Sequence, residues 1–184
     1  MKHRASLPII LVCCCLLHEP VLPAFNDNSK SALWSEGIGV IPYPQSVIMT
    51  GKDFVFDDKV FIRIEGKASV ENLFSAEELC RGLSERWNIN CRITDRPQVR
   101  EIILNPGRKA GKADDQSYGI ETGNDKIIVT SAGSAGLFYG IQTLLQLVTE
   151  SDKKIFIKGL IIRDKPDIPI RAVHYDTKHF QEKK

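Results

Sequence analysis

The chain has 184 residues, a formal net charge of +2, and apolar and charged fractions of 42% and 26%. That length suits one ordinary domain with tails, and the composition is that of a globular protein. So slight a positive balance, with no basic stripe beyond Lys178, Lys183 and Lys184 at the end, excludes the electrostatic footprint of a nucleic-acid binder.

The first segment differs from the rest. Lys2, His3 and Arg4 precede an apolar run from Leu7 to Leu17, followed by Glu19, Pro20 and the small residue Ala24. A basic start, a short apolar stretch and a small-residue exit read as a signal peptide over residues 1–24, and so as export to the periplasm or beyond the cell. The run falls short of the roughly 20 apolar residues a membrane span needs. Cys13, Cys14 and Cys15 keep a lipid anchor open as an alternative, although Ile10, Leu11 and Val12 lack the small residue such signals carry. Residues 25–39 are polar and read as a disordered leader, with order beginning near Val40.

Pro42 and Pro44 around Tyr43 indicate an extended entry to the domain. Val60, Ile62 and Ile64 alternate with Phe61, Arg63 and Glu65, which predicts a strand with one buried face. From Glu71 to Trp87 the period becomes helical, with Leu73, Ala76, Leu79 or Cys80, Leu83 and Trp87 on one face. The spacing of Ser75 and Glu78 suits a capping box inside that stretch, so the start is open by a turn. Ile89 to Thr94 and Glu101 to Leu104 read as strands, the latter running into the turn signal Asn105-Pro106-Gly107. Tyr118 to Glu121 and Lys126 to Thr130 form a predicted hairpin. Ser131 or Ser134 then caps a helix reaching Val148, whose stripe is Ala135, Phe138, Ile141, Leu144, Leu145 and Val148, with Tyr139, Thr143 and Gln146 on the other side. Ile155 to Ile162 closes the series as one strand. The order predicts an α+β domain over residues 40–165, a mixed or antiparallel sheet with two helices packed on one face.

Cys80 and Cys91 would remain after cleavage at Ala24, and export would permit them to oxidise. Sequence gives no distance between them, and two unpaired, buried thiols acting as small hydrophobes is the simpler reading. Neither has the spacing of a metal site, and nothing in the pattern calls for an organic cofactor.

Two stretches go beyond fold class. Ala135-Gly136-Leu137-Phe138-Tyr139-Gly140-Ile141-Gln142-Thr143-Leu144-Leu145-Gln146-Leu147 resembles the second helix of the N-terminal domain of family 20 glycoside hydrolases, the β-N-acetylhexosaminidases. Ile41-Pro42-Tyr43-Pro44 resembles the segment that opens the same domain. Arg171-Ala172-Val173-His174-Tyr175-Asp176-Thr177-Lys178-His179-Phe180 is similar to the first strand of the catalytic barrel and its following loop, with Thr177 and Lys178 where the family has Ser-Arg. Similar domains precede the barrels of families 84 and 67, and this tail points to family 20. The resemblance implies an accessory domain at 40–165 and, in residues 166–184, an orphan first strand of a (β/α)8 barrel.

It also implies roles. Arg171 takes the place of the arginine that binds hydroxyls of the terminal sugar, a task suited to a guanidinium's fixed fork of donors. Asp176 and His179 take places that orient the loop. Hydrolysis in this family is substrate-assisted, the acetamido oxygen of the sugar being the nucleophile. A Glu must still protonate the leaving oxygen, and an adjacent Asp must steady the acetamido nitrogen as it becomes positive. No Asp-Glu dipeptide occurs in the sequence; the adjacent acids are Asp57-Asp58, Glu77-Glu78 and Asp114-Asp115, expected as solvated charges. A barrel takes about 250 residues, so this chain alone is expected to be inactive, with its own catalytic domain as packing partner and glycan bound only through that barrel. The alternative is a standalone glycan- or protein-binding module, which requires an exposed row of rings such as Phe54, Phe56, Phe61 and Tyr118.

Overall fold

A computed structural model of the chain describes residues 32–66, 68–107 and 116–168. The elements in order are α1 (Ala32–Ser35), β1 (Ser46–Met49), β2 (Phe54–Val55), β3 (Lys59–Ile64), α2 (Val70–Trp87), β4 (Asn90–Ile93), β5 (Glu101–Pro106), β6 (Tyr118–Thr122), β7 (Lys126–Ser131), α3 (Ser134–Leu147), β8 (Thr149–Ser151), β9 (Lys154–Ile157) and β10 (Leu160–Asp164). Seven strands form a mixed sheet in the order β1-β10-β6-β7-β5-β3-β4, and β2-β9-β8 form a small second sheet.

The large sheet divides by direction. β1, β10, β6 and β7 pair antiparallel, whereas β7, β5, β3 and β4 pair parallel. Parallel neighbours need crossovers, and α2 supplies the one between β3 and β4. Alternation sends Val60, Ile62, Ile102, Leu104, Ile127, Val129, Ile120 and Ile162 to one face, where all are buried. Both long helices lie on that face, α2 over β3 and β4 and α3 over β5, β6 and β7, and they also pack against each other. This is the predicted α+β arrangement.

Local chemistry explains the helices and corrects their expected details. α2 starts nearly two turns before the Ser75–Glu78 spacing suggested, one residue ahead of the expected Glu71, because the Ser69 hydroxyl accepts the Asn72 N–H at 3.2 Å. Asn88 ends it in the left-handed conformation, φ 52°. Its buried face is Asn72, Ser75, Ala76, Leu79, Gly82 and Leu83, while Leu73 points to solvent. In α3 the N-cap is Gly133, so Ser134 is the first helical residue and neither serine caps through its side chain. Thr143 turns out buried, and Phe138 and Ala135 sit at the half-buried margin. Gly140 explains how α3 comes so near the sheet: a Cβ there would meet Val129 Cγ1 at 2.9 Å and Tyr118 Cβ at 3.3 Å.

Two expectations fail outright. Residues 32–39 are not a disordered leader: Leu33 of α1 is wholly buried, Ile38 nearly so, and Ile38 N–H bonds Leu33 O at 2.9 Å. Nor is Ile155–Ile162 one strand. The chain leaves the small sheet after Ile157 and enters the large one at Leu160, turning at Lys158-Gly159. Gly159 lies so close to another backbone that a Cβ would stand 2.0 Å from Lys52 N, and its N–H bonds Asp53 Oδ1 at 2.8 Å. β1, β2 and β8 are short strands that the sequence pattern did not single out.

Candidate functional site

Arg171, Asp176 and His179 lie outside the described residues, as do the signal at 1–24 and Asp114-Asp115, and of the expected barrel strand within 166–184 only residues 166–168 are described. The structure does place the ground from which that tail departs. β10 ends at Asp164, whose carboxylate is held from two sides: the Tyr118 hydroxyl donates to Oδ2 at 2.8 Å, and Gln45 N–H donates to Oδ1 at 3.2 Å. Tyr118 oxygen also lies 2.7 Å from the buried Thr143 Oγ1 of α3. Gln45 Nε2 reaches over the strand end to Lys165 O at 3.0 Å and Asp167 Oδ1 at 2.7 Å.

The entry segment joins them. Ile41 N–H donates to Gln146 Oε1 at 2.9 Å, and Gln146 Nε2 donates back to Gln142 O at 3.1 Å. The Ile41–Pro42 peptide is cis. Together Pro42, Tyr43, Tyr139, Gln142, Gln146 and Asp167 help to line a groove of about 280 Å³. The two motifs singled out within the domain, Ile41–Pro44 and Ala135–Leu147, therefore meet at one place, beside the last described residues, Pro166 to Ile168.

On the same side of the molecule α2 and α3 present an apolar seam. Phe74 of α2 stacks on Phe138 of α3, ring centroids 6.2 Å apart and planes 19° from parallel. Tyr139 packs edge-on against Phe138. Val70, Leu73 and Phe74 are exposed, the last by 52%. The opposite face of the large sheet carries a shallower trough of about 550 Å³ around Gly119, with Ile128, Ile161, Thr130 and Arg163 in its walls.

The groove's carboxylates are Asp164 and Asp167, and Asp167 accepts from Gln45 Nε2. Glu121 and Asp164 are the carboxylates of the trough, and Asp164 is committed to Tyr118 and Gln45. Glu78 pairs with Arg81 on the surface of α2, and Asp57 with Arg100 at 3.1 Å. Among the described residues no three His, Cys, Asp or Glu side chains gather as metal ligands, and no helix is long and apolar enough to cross a membrane. The expected row of Phe54, Phe56, Phe61 and Tyr118 does not form: Phe54, Phe56 and Tyr118 are buried, leaving Phe61 half-exposed with Lys59 Nζ 4.7 Å above its ring. The network of Tyr118, Thr143 and Asp164 was not anticipated from the sequence, because its members are 25 and 46 residues apart.

Comparison with known proteins agrees with the motif reading. Residues 37–165 match the family described as glycosyl hydrolase family 20, domain 2. A β-hexosaminidase of Porphyromonas gingivalis is 26% identical over 181 aligned positions, which cover 91% of this chain and 22% of that protein. The chitobiase of Flavobacterium johnsoniae superposes with a TM-score of 0.66 at 23% identity, over 78% of this chain and 23% of its own. The β-N-acetylhexosaminidase of Streptomyces coelicolor superposes with a TM-score of 0.59 at 26% identity, over 70% of this chain and 26% of its own. The chain thus spans about a fifth to a quarter of the length of these relatives.

Proposed function

Because the chain belongs to glycoside hydrolase family 20 through its domain 2, we propose that it is the non-catalytic N-terminal portion of a β-N-acetylhexosaminidase. The parent activity is removal of terminal N-acetylhexosamine from glycans, with the substrate's acetamido oxygen as nucleophile. On this reading the 184 residues alone do not hydrolyse glycosides. The observation that carries it is the lack of any Asp-Glu pair in the sequence. Without the Glu no proton reaches the leaving oxygen, and without the Asp the developing positive charge at the acetamido nitrogen goes uncompensated.

The domain's own task is support. The chain leaves β10 beside Tyr139, Gln142 and Gln146 on the outer side of α3, so a following barrel begins next to the apolar seam of Phe74 and Phe138. Burying that seam favours docking at about 25 cal/mol per Å² of apolar surface. Arg171 then enters the barrel from a fixed point and contributes donors to sugar hydroxyls there, with Asp176 and His179 shaping the loop behind it. Residues 1–24 direct export.

The test is release of chromophore from an aryl N-acetyl-β-glucosaminide by the purified chain, with a full-length family 20 enzyme as positive control. No release beyond background is expected. Turnover clearly above it would overturn the inactivity and require a carboxylate pair within these residues.

A further inference from the structure

Cys80 lies on α2 two turns before its end, and Cys91 is the second residue of β4. The link between them is tight. Asn88 caps the helix in the left-handed conformation, its N–H bonding Ser84 O at 3.0 Å, and β4 begins two residues later. Seven helical residues from Cys80 to Trp87 cover about 10 Å, and three extended residues from Asn88 to Cys91 cover about the same. The strand, doubling back under the helix, therefore brings residue 91 level with residue 80. Cys91 pairs in register with Val60, whose buried side chain is on the helix-covered face, so Cys91 faces α2, which packs over β4.

Both are half-buried against the edge of the core, and both are free thiols. β4 is the last strand of the large sheet on that side. The pair thus sits on an open flank, within reach of solvent and of a small reagent. The proximity of the two groups divides the roles. The neighbouring Cys91 thiol draws the Cys80 thiol below its ordinary acidity range, against the opposing effects of burial and of Glu77 one turn earlier. Cys80 in turn pushes the Cys91 thiol far up, with burial adding to it.

We propose that Cys80 and Cys91 form an oxidisable dithiol that closes to a disulfide stapling the end of α2 to the edge strand β4. The oxidant is itself a disulfide, either a small dithio compound or a protein disulfide. Cys80 thiolate attacks one of its sulfurs, the oxidant's S–S bond breaks, and its other sulfur leaves as a thiolate. Cys91 then loses its proton to that leaving thiolate and attacks Cys80 sulfur, expelling the second oxidant sulfur. Two cysteine thiols give up two electrons and two protons, and the oxidant disulfide becomes two thiols. The closed ring holds the helix end on the strand in the folded chain and restricts the same segment when unfolded.

The experiment uses the full chain equilibrated with oxidised glutathione, alkylated, and digested with trypsin without reduction. Residues 68–81 and 87–92 emerge as separate peptides with one cysteine each. The expected result is one joined species at their combined mass less two hydrogens, with both alkylated peptides lost together. Cys91→Ala should leave Cys80 trapped as a mixed disulfide with glutathione, whereas Cys80→Ala should leave Cys91 chiefly alkylated. Oxidised wild type should melt above reduced wild type, and neither variant should show that shift. Both cysteines remaining alkylated after oxidation would overturn the proposal, as would Cys80 or Cys91 joined instead to Cys13, Cys14 or Cys15, or an oxidised form that melts lower.

Discussion

Glu101, at the first position of β5, is fully buried on the side of the sheet away from the helices, and it keeps its charge. Burial, the largest single influence, pushes its carboxyl up. The two Arg63 hydrogen bonds at 3.0 and 3.1 Å, the Gln98 N–H at 3.1 Å and Lys126 Nζ at 3.6 Å together outweigh that and hold it below the usual carboxylate range. A carboxyl whose folded pKa is depressed contributes stability above its unfolded pKa of about 4.3, and that contribution disappears as pH falls through the folded value. Urea unfolding followed between neutral and strongly acidic pH should therefore show a loss of midpoint below about pH 4, and Glu101→Gln should flatten that part of the profile. Arg63→Ala removes the bidentate partner and strands a buried charge, for which a loss of about 3 kcal/mol at neutral pH is expected. An Arg63→Ala variant as stable as the parent would mean that Lys126 and Gln98 suffice. Tyr118 acts at the same scale: its hydroxyl fixes Asp164 against α3, and Tyr118→Phe should lower stability by about 1–2 kcal/mol, read from the same unfolding curves.

Elements whose signal is local were legible, and those set by distant contacts were not. α2, α3 and the β6–β7 hairpin follow from apolar period and turn residues, so their existence and nearly their bounds came from the sequence. The break between β9 and β10 did not, because Ile155 to Ile162 is an unbroken strand-like run and the reason for its division is the backbone at Lys52, more than 100 residues earlier. The same holds for α1, whose Leu33 is buried by chain that comes later. For the site, the Ile41–Pro44 and Ala135–Leu147 motifs were readable as resemblance, but their meeting through Ile41 N–H and Gln146 is tertiary. Two substitutions test these explanations. Gly159→Ala places a methyl against Lys52 backbone and should cost about 3 kcal/mol or prevent folding, seen as loss of the cooperative melt. Ser69→Ala removes only the cap and should cost about 1 kcal/mol, with α2 helicity otherwise kept in the circular dichroism spectrum.

The molecule as a whole has one sheet face it can leave to water and one helix surface it cannot easily. The open sheet face mixes Ile128 and Ile161 with Arg163, Glu121, Thr130 and Lys126, polar enough to stay solvated. The helix surface instead groups Val70, Leu73, Phe74 and Phe138 around one stacked pair of rings. A contiguous apolar patch of this kind marks an interaction surface on a soluble protein. In the parent enzyme the proposed occupant is the barrel that follows β10. On that reading, the 184 residues taken by themselves leave the patch to water or to a second copy. The full chain should therefore self-associate with rising concentration, as judged by sedimentation velocity. Phe74→Lys should shift it toward monomer while leaving the melting temperature little changed, since Phe74 contributes mostly exposed surface. Addition of the separately expressed catalytic domain should suppress association of the parent chain, and should do so poorly for the Phe74→Lys variant. A chain that stays monodisperse at every concentration, and a catalytic domain that binds both forms equally, would move the docking surface away from the α2–α3 seam.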